Sequence, residues 1–132
     1  MNNESLLADW NSLRTAEQRL EWLVERPTDS IIPEANIRDE LLIRECVSKL
    51  WLEASILDGR CQFRCRSQSQ VVQGVVAFLC DFYNGLTARE IIELDKKSIT
   101  TLGIEALLGI TRKMAVARVV NRIEEFAKTT PQ

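Results

Sequence analysis

The chain has 132 residues, 45% of them apolar and 27% charged, with a formal net charge of −2 and a pI of about 5.3. That length suits one domain spanning residues 1–132, able to bury about two thirds of its unfolded surface without a disulfide or a metal, and the mild acidity argues against a nucleic-acid partner. Histidine is absent, which removes Ser-His and Cys-His catalysis and every His-ligated metal site.

No stretch approaches the ~20 apolar residues that cross a bilayer, and Met1-Asn2-Asn3-Glu4-Ser5 lacks the basic and apolar regions of a signal peptide. A cytoplasmic protein with no membrane contact is expected, its four cysteines reduced. GxGxxG, P-loop and repeat patterns are missing, so no cofactor loop is expected.

Leu6, Leu7 and Trp10 share a helical face, and Leu13, Leu20 and Leu23 follow with Trp22 nearby. Thr15-Ala16-Glu17-Gln18 has capping-box spacing and opens a second helix, which Pro27 ends. Residues 27–36 read as a loop. Alternation then sets Leu50, Leu52, Ala54 and Ile56 on one side of a strand and Trp51, Glu53 and Ser55 on the other. Asp58-Gly59 is a hairpin turn, after which Cys61, Phe63 and Cys65 alternate with Gln62, Arg64 and Arg66. The expected hairpin runs from about residue 47 to 66 with one face covered.

From Val71 to Phe82 the chain is broadly apolar, which predicts a central, buried helix. Gly74 inside it costs about 1 kcal/mol against Ala in an exposed helix, a cost that close packing on a neighbour would explain. Asn84-Gly85 ends this helix, and Thr87-Ala88-Arg89-Glu90 forms a second capping box. The last helix is expected to start with Thr111 as cap and to turn Val116, Val120, Ile123 and Ala127 inward, with Val119 and Phe126 beside them. Helices on one face of a small antiparallel sheet make an α+β domain.

The cysteine spacing C-x14-C-x3-C-x14-C invites a zinc site. Cys61 and Cys65 on one strand would stand about 13 Å apart, too far for one tetrahedral ion or for a disulfide. In phase with Phe63, both read as core residues, as does Cys80 in the apolar helix. Cys46 differs. If the extended conformation continues back through it, it is in phase with Leu50 and Leu52 at the edge of the covered side. On composition alone it is either a half-buried structural cysteine or a reactive one.

The sequence around it resembles the SufE family of sulfur-acceptor proteins. That family carries a Gly-Cys-Gln-Ser-Gln-Val-Trp type of motif, matched here by Glu45-Cys46-Val47-Ser48-Lys49-Leu50-Trp51. The likeness runs on through the hairpin into Ser67-Gln68-Ser69-Gln70-Val71-Val72-Gln73-Gly74-Val75. It continues in Tyr83-Asn84-Gly85-Leu86-Thr87-Ala88-Arg89-Glu90-Ile91 and ends near Thr111-Arg112. Residues flanking the cysteine depart from the pattern: Glu45 replaces a glycine, and Val47 and Lys49 replace glutamines.

The resemblance implies a SufE-like α+β fold and a persulfide role for Cys46. The sulfur would come from a PLP-dependent cysteine desulfurase, which the protein would stimulate, and would go to iron–sulfur cluster assembly and its scaffold proteins. The PLP belongs to the partner, and the protein itself would be a sulfur-transfer accessory with no free-standing catalytic site, cofactor or metal. Arg44, Ser48, Lys49, Trp51 and Arg112 are the candidate supporting or partner-binding residues. The altered loop leaves an alternative, an adaptor or regulator of a desulfurase that transfers no sulfur. A basic stretch, Arg112, Lys113, Arg118 and Arg122, offers a third reading as a contact for an acidic partner.

Overall fold

The computed structural model describes residues 3–43, 48–94 and 103–131. Two helices open the chain, α1 (Asn3–Ser12) and α2 (Ala16–Glu25). The Thr15 capping box forms: the Gln18 N–H donates to Thr15 Oγ1 at 3.1 Å, and the Thr15 N–H donates to Gln18 Oε1 at 3.3 Å. Two backbone donors that a helix start leaves open are thereby satisfied. Trp10 and Trp22 then close on Phe78, with ring centroids 5.2 and 5.7 Å away, and join these helices to the core.

Phe78 belongs to α3 (Gln70–Tyr83), whose residues from Gly74 to Cys80 are all buried. Gly74 is required by proximity. A Cβ there would stand 2.5 Å from the Leu23 carbonyl oxygen, so only glycine lets the α2 and α3 backbones approach this closely.

Strands β1 (Leu50–Leu57) and β2 (Arg60–Ser67) pair antiparallel, in a register running from Leu50↔Ser67 to Leu57↔Arg60. Asp58 (φ 52°) and Gly59 (φ 76°) turn the chain with the positive φ values of a two-residue hairpin loop. Cys61, Phe63 and Cys65 are buried as their alternation predicts, together with Leu50 and Leu52. The covered face is shorter than expected. Ala54 is half-buried and Ile56 is 43% exposed, because the hairpin tip projects past the helices that cover its base. The strand also starts later than the expected residue 47. Ser48 lies in a bend, and the ladder begins at Leu50.

A second capping box opens α4 (Ala88–Glu93). The Glu90 N–H donates to Thr87 Oγ1 at 3.1 Å and the Thr87 N–H to Glu90 Oε1 at 2.9 Å. Those bonds, with Arg60 nearby, hold the Glu90 carboxyl below its usual range. The last helix, α5 (Ile110–Thr129), is preceded by Gly109 in extended conformation, so Thr111 is its second residue rather than its cap. Its buried residues are Ala115, Val116, Val119, Ile123 and Ala127, while Val120 is half-buried. The inward stripe is thus centred on Val119, the residue expected beside it. Phe126 completes the contact edge-on to Phe63, 5.8 Å between centroids.

Candidate functional site

The residues flanking Cys46 in the chain are fixed where they meet the sheet. Leu42 forms an antiparallel bridge with Trp51, and the Ile43 N–H donates to the Leu50 carbonyl at 2.8 Å. Ile43 and Leu50 are both buried, so the two ends of the connecting stretch are rooted in the core at one point. A second tie joins Lys49 to the far end of the hairpin. The Gln68 N–H donates to the Lys49 carbonyl at 3.1 Å, and the Lys49 N–H reaches Gln68 Oε1 at 3.4 Å.

Around this anchor Ser48 and Trp51 are half-buried and Lys49 is exposed. Cys46 and Arg44 lie outside the described residues. The strand phase expected to carry back to Cys46 is interrupted at the Ser48 bend. Arg112 stands exposed in the first turn of α5, and among the described residues no hydrogen bond or ion pair joins it to Ser48, Lys49 or Trp51.

The other three cysteines are free thiols sealed in the core, each with no exposed surface. Burial pushes the Cys61 thiol up from its ordinary value. It does so more strongly for Cys80, where the Cys65 thiol and the Asp81 carboxylate add to the effect. A thiol held protonated and out of solvent is a poor nucleophile. None of these three is placed for exchange with another molecule. Among the described residues no group of three or more Cys, Asp or Glu side chains could hold a metal ion.

Sequence reasoning missed a polar cluster centred on Asp81. Its carboxylate accepts from Arg26 Nη2 at 2.5 Å, from Thr28 Oγ1 at 2.7 Å and from Ser30 Oγ at 2.5 Å. Asn84 donates to Ser30 Oγ at 2.9 Å and accepts the Phe63 N–H at 2.6 Å. The Arg26 guanidinium also lies over the Trp22 ring, 5.3 Å from its centroid, in cation–π geometry.

A cleft of about 560 Å³ opens beside this cluster, bounded across the hairpin by Glu53, Ser55, Gln62 and Arg64. Two pairs occupy its charged lining, Arg26 with Asp81 and Arg64 with Glu53, register partners across the sheet that meet at 2.6 Å, while Asp29 makes no ion pair among the described residues. With its polar groups bonded to one another, save Arg26 Nη1, which is buried without a hydrogen bond, the Asp81 cluster acts as a lock. It fixes residues 26–30 between α3 and β2, and the Ser30 carbonyl accepts the Cys65 N–H at 2.9 Å. The signal for it was present in the sequence. Asp81 is the sole charged residue of the apolar helix α3, and a carboxylate there needs partners.

Comparison with known proteins identifies the family and the fold. The family model described as "SufE: Fe-S metabolism associated domain" matches residues 4–127. An uncharacterised SufE-like protein of Synechocystis is 36% identical over 70 residues, a stretch covering 53% of this chain and 44% of that protein's length. The solution structure of a hypothetical protein from Thermus thermophilus superposes with a TM-score of 0.69. It covers 96% of this chain and 93% of that one, at 17% identity, a likeness of fold. Among the described residues no helix is long and apolar enough to cross a membrane.

Proposed function

Since the chain belongs to the SufE family, associated with Fe–S metabolism, we propose that Cys46 is a persulfide acceptor. It takes sulfur from a PLP-dependent cysteine desulfurase, stimulates that enzyme, and hands the sulfur on to iron–sulfur scaffold proteins in the cytoplasm. The Cys46 thiolate attacks the terminal sulfur of the donor persulfide. A new S–S bond forms on Cys46 while the donor's S–S bond breaks, and its electron pair leaves with the donor cysteine as a thiolate. No net oxidation occurs, and the PLP chemistry that generates the persulfide stays in the partner.

The observation that carries this reading is the division among the cysteines. Three are sealed in the core, while Cys46 belongs to a stretch tied at both ends to the sheet through Ile43, Leu50 and Lys49. The anchor supports the reading by holding the residues on either side of that stretch, Ile43 and Leu50, at one point of the core. A free cysteine is only a few per cent thiolate at pH 7, and nearby cations raise that share. Lys49 is exposed beside it in the chain. Arg44 is a further local cation by its place in the chain, Arg112 is the one carried over from the family pattern, Ser48 offers a hydroxyl donor, and Trp51 flanks the anchor.

Incubating the protein with a cysteine desulfurase and L-cysteine should add one sulfur, about 32 Da, by intact-mass measurement, and Cys46→Ser should abolish the addition while keeping the fold. An unmodified wild-type protein that still stimulates the desulfurase would instead make it a non-transferring adaptor. Addition to Cys61, Cys65 or Cys80 would move the site.

A further inference from the structure

The two outer edges of the hairpin differ in how their backbone groups are satisfied. In an antiparallel pair, residues at alternate positions turn their N–H and C=O groups away from the partner strand. On β2 these residues are Cys61, Phe63 and Cys65, and each is bonded. The Cys61 N–H donates to the Leu86 carbonyl and its carbonyl accepts the Gly85 N–H. The Asn84 side chain does both for Phe63, and Cys65 is held between Ser30 and Ile32. Their register partners on β1 are Ile56, Ala54 and Leu52, which therefore turn outward on the opposite edge. That edge is used at its base, where Leu42 bridges Trp51 and the Ile43 N–H reaches the Leu50 carbonyl. Further along, the outward N–H and C=O groups of Ala54 and Ile56 find no hydrogen-bond partner among the described residues.

An open edge takes an extended chain, because its donors and acceptors repeat at strand spacing. Proteins commonly blunt such an edge with proline, lysine or a bulge. Strand β1 has no proline, glycine or lysine, and its register with β2 is unbroken. Its open end also carries apolar surface: Ile56 is 43% and Leu57 62% exposed, one on each face of the strand. The same end carries no free charge. Glu53 is paired with Arg64, and residues 54–57 are uncharged. Another protein would be selected by charge of the opposite sign, and this edge offers none to complement. A neutral edge meets its own copy without setting like charges opposite each other, and a net charge of −2 adds little repulsion between chains.

We propose that β1 pairs antiparallel with β1 of a second copy of this chain about a two-fold axis at Ser55, joining the two hairpins into one four-stranded sheet. In that register Ala54 of each copy exchanges both backbone bonds with Ile56 of the other, so every outward group of Ala54 and Ile56 is satisfied. Ser55, exposed in the single chain, stands opposite its own copy, where the two hydroxyls can hydrogen-bond. Ile56 then lies beside the other copy's Ala54, and Leu57 opposite the other copy's Glu53, so the apolar surface of the hairpin tip is covered on both faces. Glu53, the charged residue of the paired stretch, faces leucine rather than a second carboxylate. A contact of this size belongs with the weak, exchanging associations.

The test uses the full chain. Sedimentation equilibrium should show a monomer–dimer equilibrium, and raising the concentration should protect the Ala54 and Ile56 amides from hydrogen exchange. At the axis, a non-hydrogen-bonded pair sets its Cα atoms about 4.5 Å apart, within disulfide reach. Ser55→Cys, made together with Cys46→Ser so that the other thiols are the three buried ones, should therefore cross-link two chains under oxidised glutathione. Leu57→Cys, about 13 Å from its own copy in this register, should not. Ile56→Pro removes an outward N–H and no bond of the hairpin, and Ile56→Lys sets a charge on the edge. Each should weaken dimerisation about tenfold or more with the circular dichroism unchanged, and the lysine variant decides if the proline disturbs the hairpin. A chain that stays monomeric at every concentration overturns the proposal. So does a dimer that Ile56→Lys leaves intact, or cross-linking through Leu57→Cys as readily as through Ser55→Cys. Protection of the Ala54 and Ile56 amides that appears only with a cysteine desulfurase also overturns it, and would give the edge to a strand of that enzyme.

Discussion

Residues 26–32 reach the outer edge of β2 with their side chains committed. Arg26, Thr28 and Ser30 converge on Asp81, Asn84 bridges Ser30 to Phe63, and the Ser30 carbonyl and Ile32 N–H bond to Cys65. Residues 43–50 reach the outer edge of β1 by backbone bonds at the ends of the stretch, Ile43 to Leu50 and Gln68 to Lys49. The first connection is a lock in which Arg26, Thr28 and Ser30 each bond Asp81 inside the protein. The second is an anchor that leaves Lys49 facing solvent and Ser48 half-covered. The two edges of the sheet are thus held by different means, one by side chains converging on Asp81 beside β2 and its buried Cys61 and Cys65, the other by backbone bonds at Ile43, Lys49 and Leu50.

The sharpest way to break this comparison is Asp81→Ala. It leaves the Arg26 guanidinium, 5% exposed, without its counter-ion and strips an acceptor from Thr28 and Ser30. Removing one partner of a buried pair costs about 3–5 kcal/mol, to be read as a fall in the urea midpoint at constant m. A loss below about 1 kcal/mol would show that the cluster is ornamental to folding, since surface pairs contribute no more than that.

Tyr83, the protein's one tyrosine, tests the locked side by pH. It packs edge-on to Phe63 at the end of α3, and burial, with the Glu124 carboxylate adding, pushes its phenol from 10 up to about 12. The folded state therefore holds this proton more tightly than the unfolded chain does. The corresponding stability is fully present below pH 10 and is lost as the pH rises through 12. A shift of that size is worth about 3 kcal/mol at most. Phenolate absorbance should rise only together with loss of the folded circular dichroism. A tyrosine that titrates near 10 in the folded protein would mean that the β2 side opens more freely than its bonds suggest.

Much of the locked side's framework was legible from residue pattern. The capping residues Thr15 and Thr87, the Asp58-Gly59 turn, and the burial of Cys61, Phe63 and Cys65 all follow from local spacing, and the folded protein carries each. Gly74 was legible as a close approach, though its partner, the Leu23 carbonyl, was not. What escaped is long-range. Ser30 and Asp81 meet across 51 positions, and in a linear reading Thr28 and Ser30 are merely turn-formers. The burial of Ala54 and Ile56 depended on how far the helices extend under the hairpin, which strand alternation does not encode. Gly109 rather than Thr111 precedes α5 because the backbone, not a side-chain oxygen, sets that start. On the site side, the family was legible by likeness, whereas the pairs that hold Ile43 and Lys49 are backbone contacts that carry no residue signature.

The smallest expected effect sharpens the comparison from the other side. Gln68→Ala removes the side-chain acceptor of the Lys49 N–H, a long bond at 3.4 Å, and leaves the Gln68 N–H to Lys49 carbonyl bond at 3.1 Å in place. Lys49 is exposed, so water can replace the lost acceptor and no buried group is left unsatisfied. The urea midpoint should therefore move by no more than about 0.5 kcal/mol in equivalent stability. Asp81 ties residues 26–30 to α3 beside β2, and Gln68 ties Lys49 to the end of β2, each through a side chain, so the two substitutions ask one question of the two edges. A ratio of several-fold between their costs is what a buried lock opposed to a solvated anchor requires. Comparable costs would mean that Lys49 is held at its edge as firmly as residues 26–30 are held at theirs.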